Sequence, residues 1–287
     1  YNSRFFVCRR PGRREGVRRT PRLGMERITS RTNETVKAVV RLRERAERAR
    51  RRLFFCEGVH LAEEFLRHGR PVERVFATDA ALESHGALLA GFGDRVTLVT
   101  PEVYGKLSEE KAPQGILLVA PWPENVSGRK PSAKRRSILL DGVRDPGNVG
   151  TVIRTAAALG IGRVVLSRDC ADVLACKTVR ASMGAVLCTD ILLADDLAAE
   201  VRAVAAAGGA VFAAMLSEGA ADLSAGGLPA DFSVVIGNEG QGVRPDVAAA
   251  CTGCLRIPQT DRAESLNAAV AAAIFMWEMR KADEPVP

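Results

Sequence analysis

Long apolar runs are missing from this sequence. A membrane-spanning helix needs about 18 or more consecutive apolar residues, and the most apolar stretch, Ala268 to Trp277, is far shorter. No apolar h-region lies near Tyr1 either, so neither a membrane span nor a secretory signal is expected. Cysteine is irregular: seven residues, an odd number without periodic spacing. That argues against a disulfide framework and for a reducing, cytoplasmic setting. The single C-x-x-C, Cys251 to Cys254, has no second pair to complete a zinc site. Histidine numbers only three, and His60 and His68 stand eight residues apart on a predicted helix without a partner set. They are expected to pack or face water, and no metal is expected.

What is present is hydrophobic bulk and uneven charge. With 287 residues, 47% of them hydrophobic, the chain has ample core for one large domain or two modest ones. The net charge is +7, but the first 52 residues carry 18 Lys/Arg against 5 Asp/Glu, and the other 235 carry 23 against 29. Such asymmetry points to an arm that meets a polyanion. Within VVRLRERAERARRR, Val36, Val39, Val40 and Arg43 have helical spacing and leave a basic face. Its cations are arginines, suited to bidentate phosphate contact and to stacking on bases. The interleaved Glu44 and Glu47 leave a merely solvated helix as the alternative. Residues 1–24, rich in Arg, Gly and Pro, read as a disordered basic extension, with an organelle-targeting peptide as the other reading.

From Leu53 to Pro121 strand and helix signals alternate. Phe54–Cys56, VERVFAT, VTLVT and GILLVAPW read as four strands, and EGVHLAEEFLRHG as an amphipathic helix stopped at Gly69. The composition of 122–136 (Pro, Ser, Gly and cations) is that of a linker. SILLDGV follows as a strand for a sheet centre. After the Asp145-Pro146-Gly147 turn a helix begins near Asn148, with Val149, Val152, Ile153 and Ala156 as its buried stripe. Arg154 falls off that stripe, and Gly150 lets another backbone come close. KTVRASMGAVL and ADDLAAEVRAVAAAGG read as helices, and AVFAAML and FSVVIG as strands buried on both faces of a parallel sheet. The second ends in Gly237-Asn238-Glu239-Gly240-Gln241-Gly242, at the place where α/β proteins bind ligands. No Gly-Lys-Ser/Thr follows, so this is not a phosphate loop. Past a Leu255–Ile257 strand tip, Glu264, Ser265 and Asn267 are expected in the first turn of a C-terminal helix, where N-capping by Asp261 or Ser265 is the plain alternative to a functional role. That helix is apolar all round and therefore expected to be buried all round. By pattern alone this half is an ordinary doubly wound domain.

Three stretches also carry a resemblance. DGVRDPGNVGTVIRTAAALG at 141–160, IGNEGQGV at 236–243, and Ile257-Pro258 with ESLN at 264–267 resemble, in order and spacing, the three motifs of the SpoU/TrmH family of RNA 2'-O-ribose methyltransferases. The matching positions are Asn148, Gly150 and Arg154, then Gly237, Asn238, Glu239 and Gly240, then Ile257, Pro258, Ser265, Leu266 and Asn267. Arg180, Ser182 and Gly184 also match family usage, less diagnostically. One departure is Gln259, where many members carry Met, followed by Thr260-Asp261 in place of a small Gly loop. MERITSRTNETVKAVVRL from Met25, FFCEGVHLAEEF and LSEEKAPQGILLVAPW resemble the substrate-binding domain ahead of some SpoU-type enzymes. That domain is similar in fold to ribosomal proteins that grip RNA kink-turns.

The resemblance implies an α/β fold class: a small ribosomal-protein-like RNA-binding domain at 25–121, the linker at 122–136, and a SPOUT trefoil-knot methyltransferase domain at 137–282. It implies S-adenosylmethionine held at Gly237, Asn238, Glu239, Gly240, Ile257, Pro258, Ser265, Leu266 and Asn267. It implies catalysis by Asn148, Arg154, Glu239, Ser265 and Asn267, and a homodimer closed by the Ala-rich C-terminal helix. A guanidinium does not readily deprotonate, so Arg154 is expected to stabilise the developing 2'-alkoxide or to grip a phosphate. The expected substrate is large-subunit ribosomal RNA. Transfer RNA is one alternative, and a non-catalytic RNA-binding or ribosome-assembly protein is another, although binding alone would not require every polar motif position to be intact.

Overall fold

A computed structural model describes residues 25–127, 136–217, 219–229, 231–260, 262 and 264–281. The basic extension 1–24 and residues 128–135 of the expected linker lie outside the described residues.

The first unit comprises β1 (Arg27–Ile28), α1 (Glu34–Arg41), α2 (Arg45–Arg51), β2 (Leu53–Glu57), α3 (Val59–Arg67), β3 (Arg74–Ala77), α4 (Asp79–Ala90), β4 (Val96–Val99), α5 (Pro101–Leu107) and β5 (Ile116–Pro121). Its sheet runs β1-β4-β3-β5-β2. The four expected strands are there, and β1, too short to show a period, adds a parallel edge beside β4. Side chains alternate across the pleat. Phe54 therefore joins Leu61 and Phe65 in one apolar cluster, while Phe55 joins Val36, Val39, Val103 and Leu107 in another. Helices thus cover both faces.

The expected basic helix is broken into α1 and α2. Leu42 is fully buried, so the chain turns to insert it. Arg48 then returns its guanidinium to the carbonyls of Leu42 and Arg43 at 2.6 and 2.7 Å, and to Asp172 of the second unit at 2.6 Å. Arg43 donates to the carbonyls of Lys106, Leu107 and Ser108. Both arginines are structural wiring, which narrows the basic face read from the sequence.

The second unit comprises β6 (Val126–Ser127), β7 (Ser137–Leu140), α6 (Pro146–Leu159), β8 (Arg163–Ser167), α7 (Cys176–Ala181), β9 (Ile191–Ala194), α8 (Leu197–Ala206), β10 (Ala210–Ala214), β11 (Ala221–Asp222), β12 (Phe232–Ile236), α9 (Pro245–Ala250), β13 (Gly253–Arg256) and α10 (Ala268–Lys281). Its strands pair in parallel in the order β11-β13-β10-β12-β7-β8-β9-β6. As expected, β7 is central and wholly buried. Strand β10, expected to be buried on both faces, has only Val211 and Ala213 fully covered. Val126–Ser127, within the stretch expected as linker, forms the sheet edge beside β9. KTVRASMGAVL is not one helix. α7 stops at Ala181, and the chain turns at Gly184 with φ +83°, a position where a Cβ would also come within 2.9 Å of Glu64 Cγ on α3. No helix among the described residues is long and apolar enough to cross a membrane.

Candidate active site

Strand order reverses between β7 and β12, so the loops leaving their carboxyl ends flank a crevice. The loop after β7 leads into α6 through an N-cap, with Asp145 Oδ1 accepting the Asn148 N–H at 2.9 Å and Pro146 in the first turn. That bond is the main cause holding the Asp145 carboxyl below its usual range, and Lys177 adds to it. Val149, Val152, Ile153 and Ala156 form the buried stripe that their spacing predicts. Gly150 is the point where α7 crosses: a Cβ would lie 2.5 Å from the Thr178 carbonyl oxygen and 2.6 Å from Ala181 Cβ.

The loop after β12 is shaped by Asn238. Its Nδ2 donates to the Gly142 carbonyl at 2.7 Å, and its Oδ1 accepts from the N–H groups of Gly240 and Gln241 at 2.9 and 3.1 Å. Its main chain bridges Gly242. The turn is so tight that a Cβ on Gly237 would sit 2.1 Å from the Gly242 carbonyl carbon. Beyond it, Asp141 accepts the Arg244 N–H and Nε–H, both at 2.7 Å, with its side chain fully buried. Sequence reasoning passed over this pair. The available signal was an acid directly after an apolar central strand, where charges are rarely buried unless paired.

The third element differs from expectation. α10 begins at Ala268, so Glu264 and Ser265 precede the helix, and Asn267 is its cap. Asn267 Oδ1 accepts from the N–H groups of Ala269 and Val270 at 2.9 and 3.3 Å. Asp261, one of the expected caps, lies outside the described residues. Nor is α10 buried all round. Ala272, Phe275, Met276 and Met279 are covered, but Val270 and Trp277 are 49% and 52% exposed.

These elements bring three expected residues into one chain of hydrogen bonds. Asn148 Nδ2 donates to Glu239 Oε1 at 2.7 Å, and Asn267 Nδ2 donates to Asn148 Oδ1 at 3.0 Å. Beside them is a cavity of about 310 Å³ lined by Gly237, Asn238, Glu239, Ile257, Ser265 and Leu266 among the expected residues. Gly240, Pro258 and Asn267 are not in its lining, whereas the departing Gln259 is. Met215 and Leu216, which follow β10, also line it and were not anticipated; their signal was a loop at the carboxyl end of a neighbouring parallel strand. Asn148 and Asn267 instead line an adjoining groove with Thr151, Val270, Ile274 and Trp277. Arg154 joins neither: it is exposed and makes no hydrogen bond or ion pair among the described residues.

The cavity suits a nucleoside cofactor. Leu255, Ile257 and Phe275 offer apolar walls for a flat base, and the side-chain-free Gly237 lets backbone approach closely. Its volume falls at the lower end of the roughly 300–1,000 Å³ usual for ligand sites.

Residues 135–277 match the SpoU rRNA Methylase family, and residues 33–118 match the MRM3-like substrate binding domain. The 23S rRNA (guanosine(2553)-2'-O)-methyltransferase RlmP of Bacillus subtilis is 33% identical over 258 residues, 89% of this chain and 100% of that one. The chain belongs to the SpoU/TrmH family of RNA 2'-O-ribose methyltransferases. The AdoMet-bound rRNA methyltransferase from Sinorhizobium meliloti is similar in structure, with a TM-score of 0.77 at 30% identity, over 91% of this chain and 99% of that one. The SpoU methyltransferase AviRb of Streptomyces viridochromogenes, in complex with AdoMet, gives 0.74 at 25% identity, over 87% and 98%. As a member of this family the protein is an S-adenosylmethionine-dependent RNA 2'-O-ribose methyltransferase, the activity its motifs implied.

Proposed function

We propose that the enzyme methylates a ribose of large-subunit ribosomal RNA, in the cytoplasm, as a homodimer. One observation carries the substrate assignment: the similarity to the 23S rRNA enzyme of B. subtilis runs through both units and spans the whole of that protein. In this reading residues 25–121 bind RNA and 137–282 form the knotted catalytic domain, which also takes Val126–Ser127 as its sheet edge, so 122–136 is not linker throughout. The exposed Val270 and Trp277 of α10, beside an apolar groove, support a partner subunit packed there.

Of the expected residues, Gly237, Asn238, Glu239, Ile257, Ser265 and Leu266 line the cavity that holds the cofactor, while Gly240 and Pro258 belong to its loops without lining it and Asn267 acts by capping the helix that forms one wall. Bound S-adenosylmethionine supplies an electrophilic methyl group. The chain's own task is alignment, and effective molarities of roughly 10⁵–10⁸ M are available from it. Glu239 orients the Asn148 amide, and Asn267 fixes that amide from the other side, so the three present a preset polar edge to the ribose. Ser265 lines the same cavity and adds a hydroxyl. Arg154, about two turns along α6, is unpaired among the described residues and therefore available to the developing 2'-alkoxide or its neighbouring phosphate.

Labelled S-adenosylmethionine incubated with ribosomal and transfer RNA, followed by mapping of the methylated ribose, tests the assignment. Label in 23S rRNA is expected; label in transfer RNA alone would overturn the substrate. A monomeric mass by light scattering would overturn the dimer.

A further inference from the structure

Six polar side chains line the cavity beside the Asn148–Glu239 pair: Asn238, Glu239, Gln241, Arg256, Gln259 and Ser265. Three of them are already committed. Asn238 uses its amide on the Gly142 carbonyl and on the N–H groups of Gly240 and Gln241, Glu239 accepts from Asn148, and Arg256 donates to Asp222. The side chains of Gln241, Gln259 and Ser265 make no hydrogen bond among the described residues. Their places in the chain separate them. Gln241 shares its loop with Glu239, and Ser265 offers a single hydroxyl. Gln259 instead follows the apolar walls Leu255 and Ile257 at a two-residue step, while the intervening Pro258 stays out of the lining. The reacting end of the cofactor belongs beside Asn148 and Glu239, which leaves those apolar walls to its adenine.

We propose that Gln259 reads the adenine of S-adenosylmethionine, its Oε1 accepting from the N6 amino group and its Nε2 donating to N7. Apolar walls hold any flat base, and it is the few polar groups among them that fix orientation and specificity. A carboxamide carries an acceptor beside a donor, the complement of adenine's N6–H and N7, and Gln pairs with that edge in nucleic-acid recognition. Against a base with O6 in place of the N6 amino group, either orientation of the amide sets its oxygen against an acceptor. The side chain therefore selects the base and takes no part in the methyl transfer. This role rests on the cavity being the cofactor site.

Calorimetry on the full-length protein compares three ligands: S-adenosylhomocysteine, its 7-deaza analogue, which lacks the N7 acceptor, and S-inosylhomocysteine, which carries O6. Wild type should bind the first about tenfold more tightly than either analogue, the lower end for a bidentate pair because Gln259 is exposed. Gln259→Met keeps the length and removes both polar groups, so both preferences should collapse. Gln259→Glu keeps an acceptor without the donor, so it should lose the preference over the 7-deaza analogue and retain that over inosine. Gln241→Met should behave as wild type. A side chain that merely shaped the wall would weaken all three ligands alike. Preferences unchanged in Gln259→Met, absent from wild type, or levelled by Gln241→Met instead would overturn the proposal. Gly237→Ala tells the two ways of failing apart. If it lowers S-adenosylhomocysteine affinity while Gln259→Met keeps its preferences, the role of Gln259 alone is wrong. If it leaves that affinity untouched, the cavity is not the cofactor site, and the proposal falls with it.

Discussion

Asn148 is held at both ends: Glu239 accepts its amide N–H at 2.7 Å, and Asn267 donates to its carbonyl oxygen at 3.0 Å. The three residues come from three separate motifs, so each bond also fixes one loop against another. Asn148→Asp removes the donor and sets a second carboxylate against Glu239. If the network orients the ribose, single-turnover methylation should fall by about 10²–10³, the usual loss for one preset donor. Melting should change little because these side chains are not deeply buried. Wild-type turnover in Asn148→Asp would show that the amide is dispensable.

Gly237 and Gly240 share a loop but not a constraint. A Cβ at Gly237 would sit 2.1 Å from backbone, while one at Gly240 would meet nothing nearer than Asn238 Oδ1 at 3.7 Å. Gly237→Ala must therefore displace the turn that lines the cavity, at a cost of about 1–3 kcal/mol. Calorimetry should show cofactor affinity reduced roughly ten- to hundredfold. Gly240→Ala should bind almost normally; equal losses in the two variants would mean that the loop's shape is not what matters.

The contrast explains what the sequence could and could not convey. The stripe on α6 and the strands β7 and β12 were legible because burial imposes a period on side chains. Gly150 was legible because a glycine in a first turn has few uses other than close approach. The break between α1 and α2 was not, since it follows from burying Leu42 and from a guanidinium that bonds to a distant aspartate. The start of α10 was misplaced by one turn because Asp261, Ser265 and Asn267 are all of types that cap helices, and only backbone geometry separates them. The exposed side of α10 escaped notice for a simpler reason: an all-apolar helix does not distinguish burial in its own core from a surface left for another molecule.

Asp145 makes the fold acid-sensitive at the site itself. Its carboxyl is held below the usual range, first by the Asn148 N–H and then by Lys177 at 3.5 Å. A depressed pKa means that this stabilisation is complete above the ordinary carboxylate value of about 3.9 and is lost as pH falls through the lower folded value. Asp145→Ala should cost about 1 kcal/mol as a lost N-cap at neutral pH. Asp145→Asn retains a capping oxygen that does not titrate, so its melting temperature should fall less steeply with acidification than wild type. Parallel curves would show that Asp145 does not contribute to the acid transition.

Arg154 offers the sharpest test, because the structure leaves it outside the hydrogen-bonded network. It stands six residues beyond Asn148 on the same helix, off the buried stripe, exposed and without a partner among the described residues. Arg154→Ala should therefore leave melting and cofactor affinity nearly unchanged. If its guanidinium meets the reacting ribose, turnover should still fall by about 10²–10³. Arg154→Lys should recover little, since an ammonium cannot reproduce the planar fork. A homodimer allows a further discrimination. Were Arg154 to act on the site of the partner subunit, mixing Arg154→Ala with Asn148→Asp chains should regenerate one intact site per mixed dimer, and activity well above either parent. Were it to act within its own chain, mixing should restore nothing. Full turnover in a folded, dimeric Arg154→Ala enzyme would return Arg154 to the role of an ordinary surface cation.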